Sequence, residues 1–194
     1  MGYSGLKGVH SEIAAHLGGN ISVGDPFTCS PRAWDYLVNR FCVKSVLDLG
    51  SGIGNASYYF SEKNVNVIAV DGLPENIERS VFPAICLDLT QQHVNTKVDL
   101  VHCQEVVEHI EERFVSNIIR SFQCGKYVCM THAFPGQGGH HHVNEKPTEY
   151  WVNLMIQNGF SLLQEDTKRI RILAGQDGAV YLNRSGLVFH NTLR

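Results

Sequence analysis

The run Val46-Leu47-Asp48-Leu49-Gly50-Ser51-Gly52-Ile53-Gly54 limits what this chain can fold into more than any other stretch. An apolar strand that ends in three alternate glycines lets backbone pass beneath a ligand where a Cβ would collide, and a helical pattern begins at once from Asn55. The next apolar run, 65–70, closes on a lone acid, Asp71, placed where a carboxylate can accept hydrogen bonds from the hydroxyls of a ribose. A dinucleotide fingerprint needs G-x-G-x-x-G. Counting from Gly50 puts Asn55 in the third place, and counting from Gly52 puts Ser57 there. The turn therefore reads as a nucleoside-cofactor site in which the pyrophosphate reading is weakened.

Periodicity extends the pattern along the chain. Ser30-Pro31 is a helix-opening pair, followed by Trp34, Leu37, Val38 and Phe41 at helical spacing. A third strand is expected over 81–87, a fourth from Val98 and a fifth over 125–131. Between the last two, Glu111 and Glu112 favour the start of a helix whose apolar face carries Phe114, Ile118, Ile119 and Phe122. Pro147 opens another helix with Trp151, Leu154 and Met155 inward and Asn158-Gly159 as its stop, and strands over 160–164 and 186–190 follow. Lys168-Arg169-Ile170-Arg171 reads as a strand edge with solvated charge. The expected fold is α/β: a doubly wound, Rossmann-like three-layer sandwich with a mostly parallel seven-stranded sheet and an antiparallel last strand. Residues 1–194 read as a single domain, with 1–30 an N-terminal flap holding a short helical candidate over 10–17 that ends at Gly18-Gly19.

With 194 residues, 43% of them apolar, the chain can bury a full core, and no apolar run approaches the roughly 18 residues of a membrane span. The six cysteines form no C-x-x-C pair and several lie in apolar runs, which points to reduced core thiols and a cytoplasmic setting. The first residues carry no secretory signal pattern, and Leu6 stands where a myristoylation site prefers Ser or Thr. A formal net charge of -3 gives no global attraction to nucleic acid.

The Gly50-x-Gly52-x-Gly54 spacing after Asp48 resembles motif I of the class I S-adenosylmethionine-dependent methyltransferases. The likeness continues through Asp71-Gly72, through Asp88-Leu89 in the element that reads the adenine amino group, and through the fourth strand with Gln104 at its end. It implies S-adenosyl-L-methionine as cofactor, bound by Asp48, Gly50, Gly52, Gly54, Asp71, Gly72, Asp88, Leu89 and Gln104. It covers about residues 44–133 and is silent on the acceptor.

For the acceptor, the loop after the fifth strand is the richest segment, because glycines and Pro135 punctuate a stretch from Thr131 to Glu145 that carries four histidines. Methyl transfer to a hydroxyl needs a base, for which a histidine near neutral pKa is the common choice. His141 and His142 are the first candidates, with His132 and His109 behind them and Glu105 beside. Glu105-x-x-Glu108-His109 puts three ligand-type residues at i, i+3 and i+4 of a helical turn, and resembles the motif of small-RNA terminal ribose methyltransferases, where a divalent ion grips the acceptor hydroxyls. A metal-dependent RNA ribose methyltransferase is thus the runner-up; the leading expectation holds no metal. Gly24-Asp25-Pro26, the Glu105 to His109 motif, Thr131-His132-Ala133-x-Pro135-Gly136-Gln137, His141-His142-Val143-Asn144 and Tyr150-Trp151 together resemble a group of small bacterial and phage methyltransferases of unassigned acceptor. That likeness implies that His141, His142, Asn144 and Trp151 line an acceptor pocket. The leading expectation is O-methylation of a small polar molecule, a metabolite or sugar; a donor-cleaving enzyme and a donor-sensing module are further alternatives. Oligomeric state is not encoded in any motif.

Overall fold

A computed structural model describes residues 15–17 and 24–194. Most of the expected N-terminal flap and its helical candidate lies outside the described residues; within it, Ala15–Leu17 forms one 3₁₀ turn.

The elements run α1 (Pro31–Phe41), β1 (Ser45–Leu49), α2 (Asn55–Glu62), β2 (Asn66–Asp71), α3 (Pro74–Arg79), β3 (Ala84–Cys86), β4 (Val98–Cys103), α4 (Val115–Phe122), β5 (Gly125–Met130), α5 (Thr148–Gln157), β6 (Phe160–Leu162), α6 (Gln164–Asp177), α7 (Val180–Ser185) and β7 (Leu187–Asn191). They build one seven-stranded sheet in the order β3-β2-β1-β4-β5-β7-β6, parallel except for β7, which runs antiparallel to both neighbours. Alternate residues of the central strands serve opposite layers. Leu47, Val101, Val128 and Phe189 pack with Ile118, Phe122 and Trp151 from α4 and α5. On the other face Val46, Leu100, Cys129 and Val188 pack with Trp34, Leu37, Phe60 and Ile170 from α1, α2 and α6. Winding starts at β1, goes out to β3 and returns to β4, so the direction reverses between β1 and β4, where a crevice opens at the strand ends.

Five local readings are corrected. The third strand is Ala84–Cys86 rather than 81–87: Pro83 has no N–H for a ladder, and the Val81 N–H is spent on Ile53 O at 2.9 Å. The sixth strand stops at Leu162 because α6 begins at Gln164, and Lys168 to Arg171 lie on that helix, not on a strand edge. Ser30 holds the N-cap position of α1, but its hydroxyl turns to Asp177 Oδ2 at 3.5 Å instead of capping. Glu105, Glu108 and His109 do not share a helical turn; Val107–His109 is a 3₁₀ turn, and Glu105 precedes it with a left-handed φ of 55°.

Candidate active site

The glycine turn sits at the point where winding reverses. Val70 O accepts hydrogen bonds from Gly50 N (2.8 Å) and Ser51 N (3.0 Å), which pins the turn across β2. Gly52, at φ 56°, has no atom within 4 Å of where a Cβ would stand, so its Cα faces open space: a cradle that any side chain would fill. Its N–H donates to Asp71 Oδ2 at 2.8 Å, while Asp71 Oδ1 accepts from Leu73 N (2.9 Å) and Asn76 Nδ2 (3.1 Å). A carboxylate has about four acceptor positions. Three are occupied here, which leaves one hydroxyl's worth of capacity rather than the two expected. Burial pushes the Asp71 pKa up, against the pull of these three donors.

Asp88 follows the same logic. Its Oδ1 accepts from Thr90 N and Oγ1 (2.8 and 2.7 Å), and its Oδ2 lies 3.0 Å from His16 Nε2, so one position stays open for an amino group. Burial would raise its pKa, but the bonds from His16 and Thr90 prevail and hold it below the ordinary value. Leu17, next to His16, lies over Gly72 so closely that a Cβ there would strike its methyl group. Leu89 is buried beside them.

Asp48 is placed differently from the expectation. Its Oδ2 accepts from Ser57 Oγ at 2.5 Å and its Oδ1 lies 2.7 Å from His102 Nδ1, so this buried carboxylate serves the interior instead of facing a ligand. His102 was missed at the sequence level because a histidine inside an apolar strand carries no spacing signal. Its Nε2 lies 3.2 Å from Trp34 Nε1 and 3.0 Å from the Gln104 amide.

Beyond Gln104 the polar groups crowd together. Glu105 takes its left-handed backbone with help from Thr131, whose hydroxyl accepts the Glu105 N–H at 2.8 Å and donates to Glu105 Oε1 at 2.8 Å. Glu108 is completely buried, and neither carboxylate oxygen has a hydrogen-bond partner among the described residues. Its backbone carbonyl accepts from Val143 N and Asn144 N (2.9 and 3.1 Å), which draws the histidine loop onto it. The His109 and His142 rings stand perpendicular with centroids 5.0 Å apart; among the described residues His109 Nδ1 has no hydrogen-bond partner, while His142 Nδ1 lies 3.4 Å from Glu145 Oε1. One ligand atom from each of Glu108, His109 and His142 lies within 4.8 Å of the others. Burial raises Glu105 to about 7 and, reinforced by Glu105, raises Glu108 well up; burial drives His109 down to about 3 and lowers His142 against the pull of Glu145. The cluster is therefore rich in acceptors and poor in positive charge, and it offers its lone pairs to a hydroxyl proton or to a cation. The residues fit a divalent ion: a buried carboxylate with unpaired oxygens and two neutral imidazoles is a suitable donor set.

Of the remaining candidates, His141 sits at φ 50° with an Nε2 that has no partner among the described residues, its ring 6.5 Å from that of His16. His132 is committed to structure, 3.1 Å from Thr148 Oγ1. Among the described residues, buried Asn144 has no partner for either amide atom, and Trp151, a fully buried core residue, has none for its Nε1.

The fold and this crevice define a Rossmann-like methyltransferase, and the comparisons agree: residues 30–165 match the model of the family described as "Methyltransferase domain". The chain belongs to that family of methyltransferase domains. It is 31% identical over 86 residues to the ubiquinone biosynthesis O-methyltransferase of Rickettsia typhi, a match covering 39% of this chain and about a third (35%) of that enzyme. Among solved structures, an S-adenosylmethionine-dependent methyltransferase from Archaeoglobus fulgidus superimposes with a TM-score of 0.60 at 16% identity, covering 86% of this chain and 94% of that one. The methyltransferase domain of bacterial CtHen1 gives 0.52 at 18% identity, with 68% and 86% covered. Among the described residues no helix is long and apolar enough to cross a membrane.

Proposed function

We propose that the chain transfers the methyl group of S-adenosylmethionine to a hydroxyl oxygen of a small polar acceptor, and that Glu108, His109 and His142 form the place where this hydroxyl is received. The observation that carries the reading is the buried Glu108 carboxylate and His109 Nδ1, without hydrogen-bond partners among the described residues, with a ligand atom of His142 within 4.8 Å of them. An alcohol brings the missing proton, and methylation of its oxygen requires that proton to leave. His142 is its acceptor in this reading, because burial keeps the ring neutral and half-open to the loop, while His109 is too weakly basic at about 3. The relative's name, an O-methyltransferase, supports oxygen as the target. The six free cysteines suit a reducing, cytoplasmic compartment.

The test is to incubate the enzyme with methyl-labelled donor and fractionated cell extract. Label in a small polar fraction is expected; label confined to protein or RNA, or none, overturns the reading.

A second reading is favoured by the same three ligand atoms. In it Glu108, His109 and His142 hold a divalent ion, which would supply charge to stabilise the acceptor's alkoxide. Calorimetric titration with Mn²⁺ separates the two: micromolar binding lost in Glu108→Gln supports the ion, and turnover indifferent to a chelator removes it.

A further inference from the structure

We infer that the acceptor is an anion: Arg171 and Arg184, at the head of the loop after β5, receive a carboxylate or phosphate borne by the same small molecule whose hydroxyl meets Glu108 and His142. This rests on the hydroxyl reading and adds to it the acceptor's charge.

Charge accounting leads there. Neighbouring cations are spent on carboxylates: Arg32 on Asp177, Arg40 on Asp166, and Lys146, beside the histidine loop, on Glu112 at 2.8 Å. Among the described residues neither Arg171 nor Arg184 has such a partner. Arg171 is half-buried, and its Nε donates to Gly186 O at 2.7 Å, which leaves four of its five N–H donors without a protein acceptor. Burial pulls its pKa below the ordinary value, as happens to a guanidinium withdrawn from water without a counter-charge. An anion would offset that cost. Arg184 is exposed, with its guanidinium carbon 5.9 Å from the centre of the Phe134 ring, a contact that steers the side chain but leaves its charge unneutralised.

The two arginines converge on the loop that carries His142. Met130 pairs with Leu187 at the crevice end of β5, so Gly186, the residue that Arg171 holds, stands beside Thr131. Ser185, between Arg184 and Gly186, accepts the His132 N–H at 3.2 Å, and the Phe134 ring lies 4.9 Å from that of His132. Both charges are felt in the site. Arg171 adds to the burial that lowers His132, and Arg184 pulls Glu105 down against the burial that raises it. The donor's own carboxylate is a poorer match. The glycine turn follows β1, Asp71 ends β2 and Asp88 follows β3, so the residues read as holding the donor spread from β1 toward that edge, whereas the arginines stand by β5 and β7, beyond β4. A planar guanidinium fork matches the paired oxygens of a carboxylate or phosphate.

The test uses the intact enzyme, methyl-labelled donor and cell extract, with products separated by charge at pH 7, where unused donor elutes apart as a cation. Label in small molecules held by an anion exchanger is expected. Phosphatase treatment that frees this label identifies phosphate as the anion, and label that stays bound points to carboxylate. Label in small polar molecules that the exchanger does not hold overturns the inference and leaves the hydroxyl reading standing; label confined to protein or RNA, or none, overturns both. With the retained fraction, Arg184→Gln and Arg171→Gln are each expected to slow labelling about 10- to 100-fold at limiting extract, with donor affinity in calorimetry unchanged. Undiminished labelling in both variants overturns the inference, and so does a matching loss of donor affinity, which would assign the arginines to the donor. The separation by charge uses the unaltered chain, so poor folding of a variant leaves the inference open to refutation.

Discussion

At the scale of single residues, Asp71 serves the fold through three protein donors and, in the proposed reading, would serve the donor's ribose as well. Three protein donors hold it, and they fix the glycine turn, the entry to α3 and the end of β2 with one carboxylate. Its pKa in the free protein is raised above 3.8 because burial outweighs those donors. A ribose hydroxyl donating to the remaining lone pair favours the ionised form, so donor affinity is complete where Asp71 is ionised and is lost as pH falls through the raised pKa. Calorimetry from neutral to acidic pH should show that decline starting above the ordinary aspartate range, and Asp71→Ala should weaken binding by about 1.5–3 kcal/mol at pH 7 and flatten the profile. His142 offers a second test. If it takes the hydroxyl proton, His142→Ala slows turnover by about 10²–10⁴ with donor binding intact, measured once an acceptor fraction is in hand.

At the scale of elements, the strand-turn-helix around residue 50 was legible because steric demand leaves few residue choices, yet its glycines do different jobs. A methyl group at Gly50 would run into the Cγ2 of Val106, whereas at Gly52 it would meet nothing of the protein. Gly50→Ala should therefore cost stability through overpacking, about 1–3 kcal/mol in chemical denaturation. Gly52→Ala should lose about 1 kcal/mol, for its left-handed φ, but most of its donor affinity. If both variants bound the donor equally well, the cradle would lie elsewhere. Helix α6 was illegible for a related reason. Its buried residues are Asp166, Thr167, Ile170 and Ala174; the acid is kept by Tyr36 Oη at 2.8 Å and Arg40 Nε at 2.9 Å from α1 and the Thr167 hydroxyl by Val188 N of β7 at 2.9 Å, so half of the pattern is polar pairing that only neighbouring elements explain. The approach of His142 to Glu108 was equally hidden, since it depends on two backbone bonds to the Glu108 carbonyl across more than thirty residues of chain.

At the scale of the whole molecule, the sheet decides which cysteines chemistry can reach, and this turns the fold into a countable observable. The sequence suggests core thiols in general; the structure divides them, with Cys29, Cys42 and Cys86 exposed at the periphery and Cys103, Cys124 and Cys129 buried. Cys103 and Cys129 stand opposite residues of the neighbouring central strands, where burial pushes Cys129 up to about 12 and Cys103 well above its ordinary value. A thiol reacts as its thiolate, so both are protected twice, by lack of access and by lack of charge. Titration with a chromogenic disulfide at pH 8 should count three thiols in the native protein and six in denaturant. Reaction of Cys103 and Cys129 should follow global unfolding rather than local opening, because β4 and β5 lie at the centre of the sheet. Rapid reaction of Cys103 or Cys129 in native buffer would mean that the sheet between β4 and β5 opens on its own, and with it the strand end that carries Gln104 and Glu105.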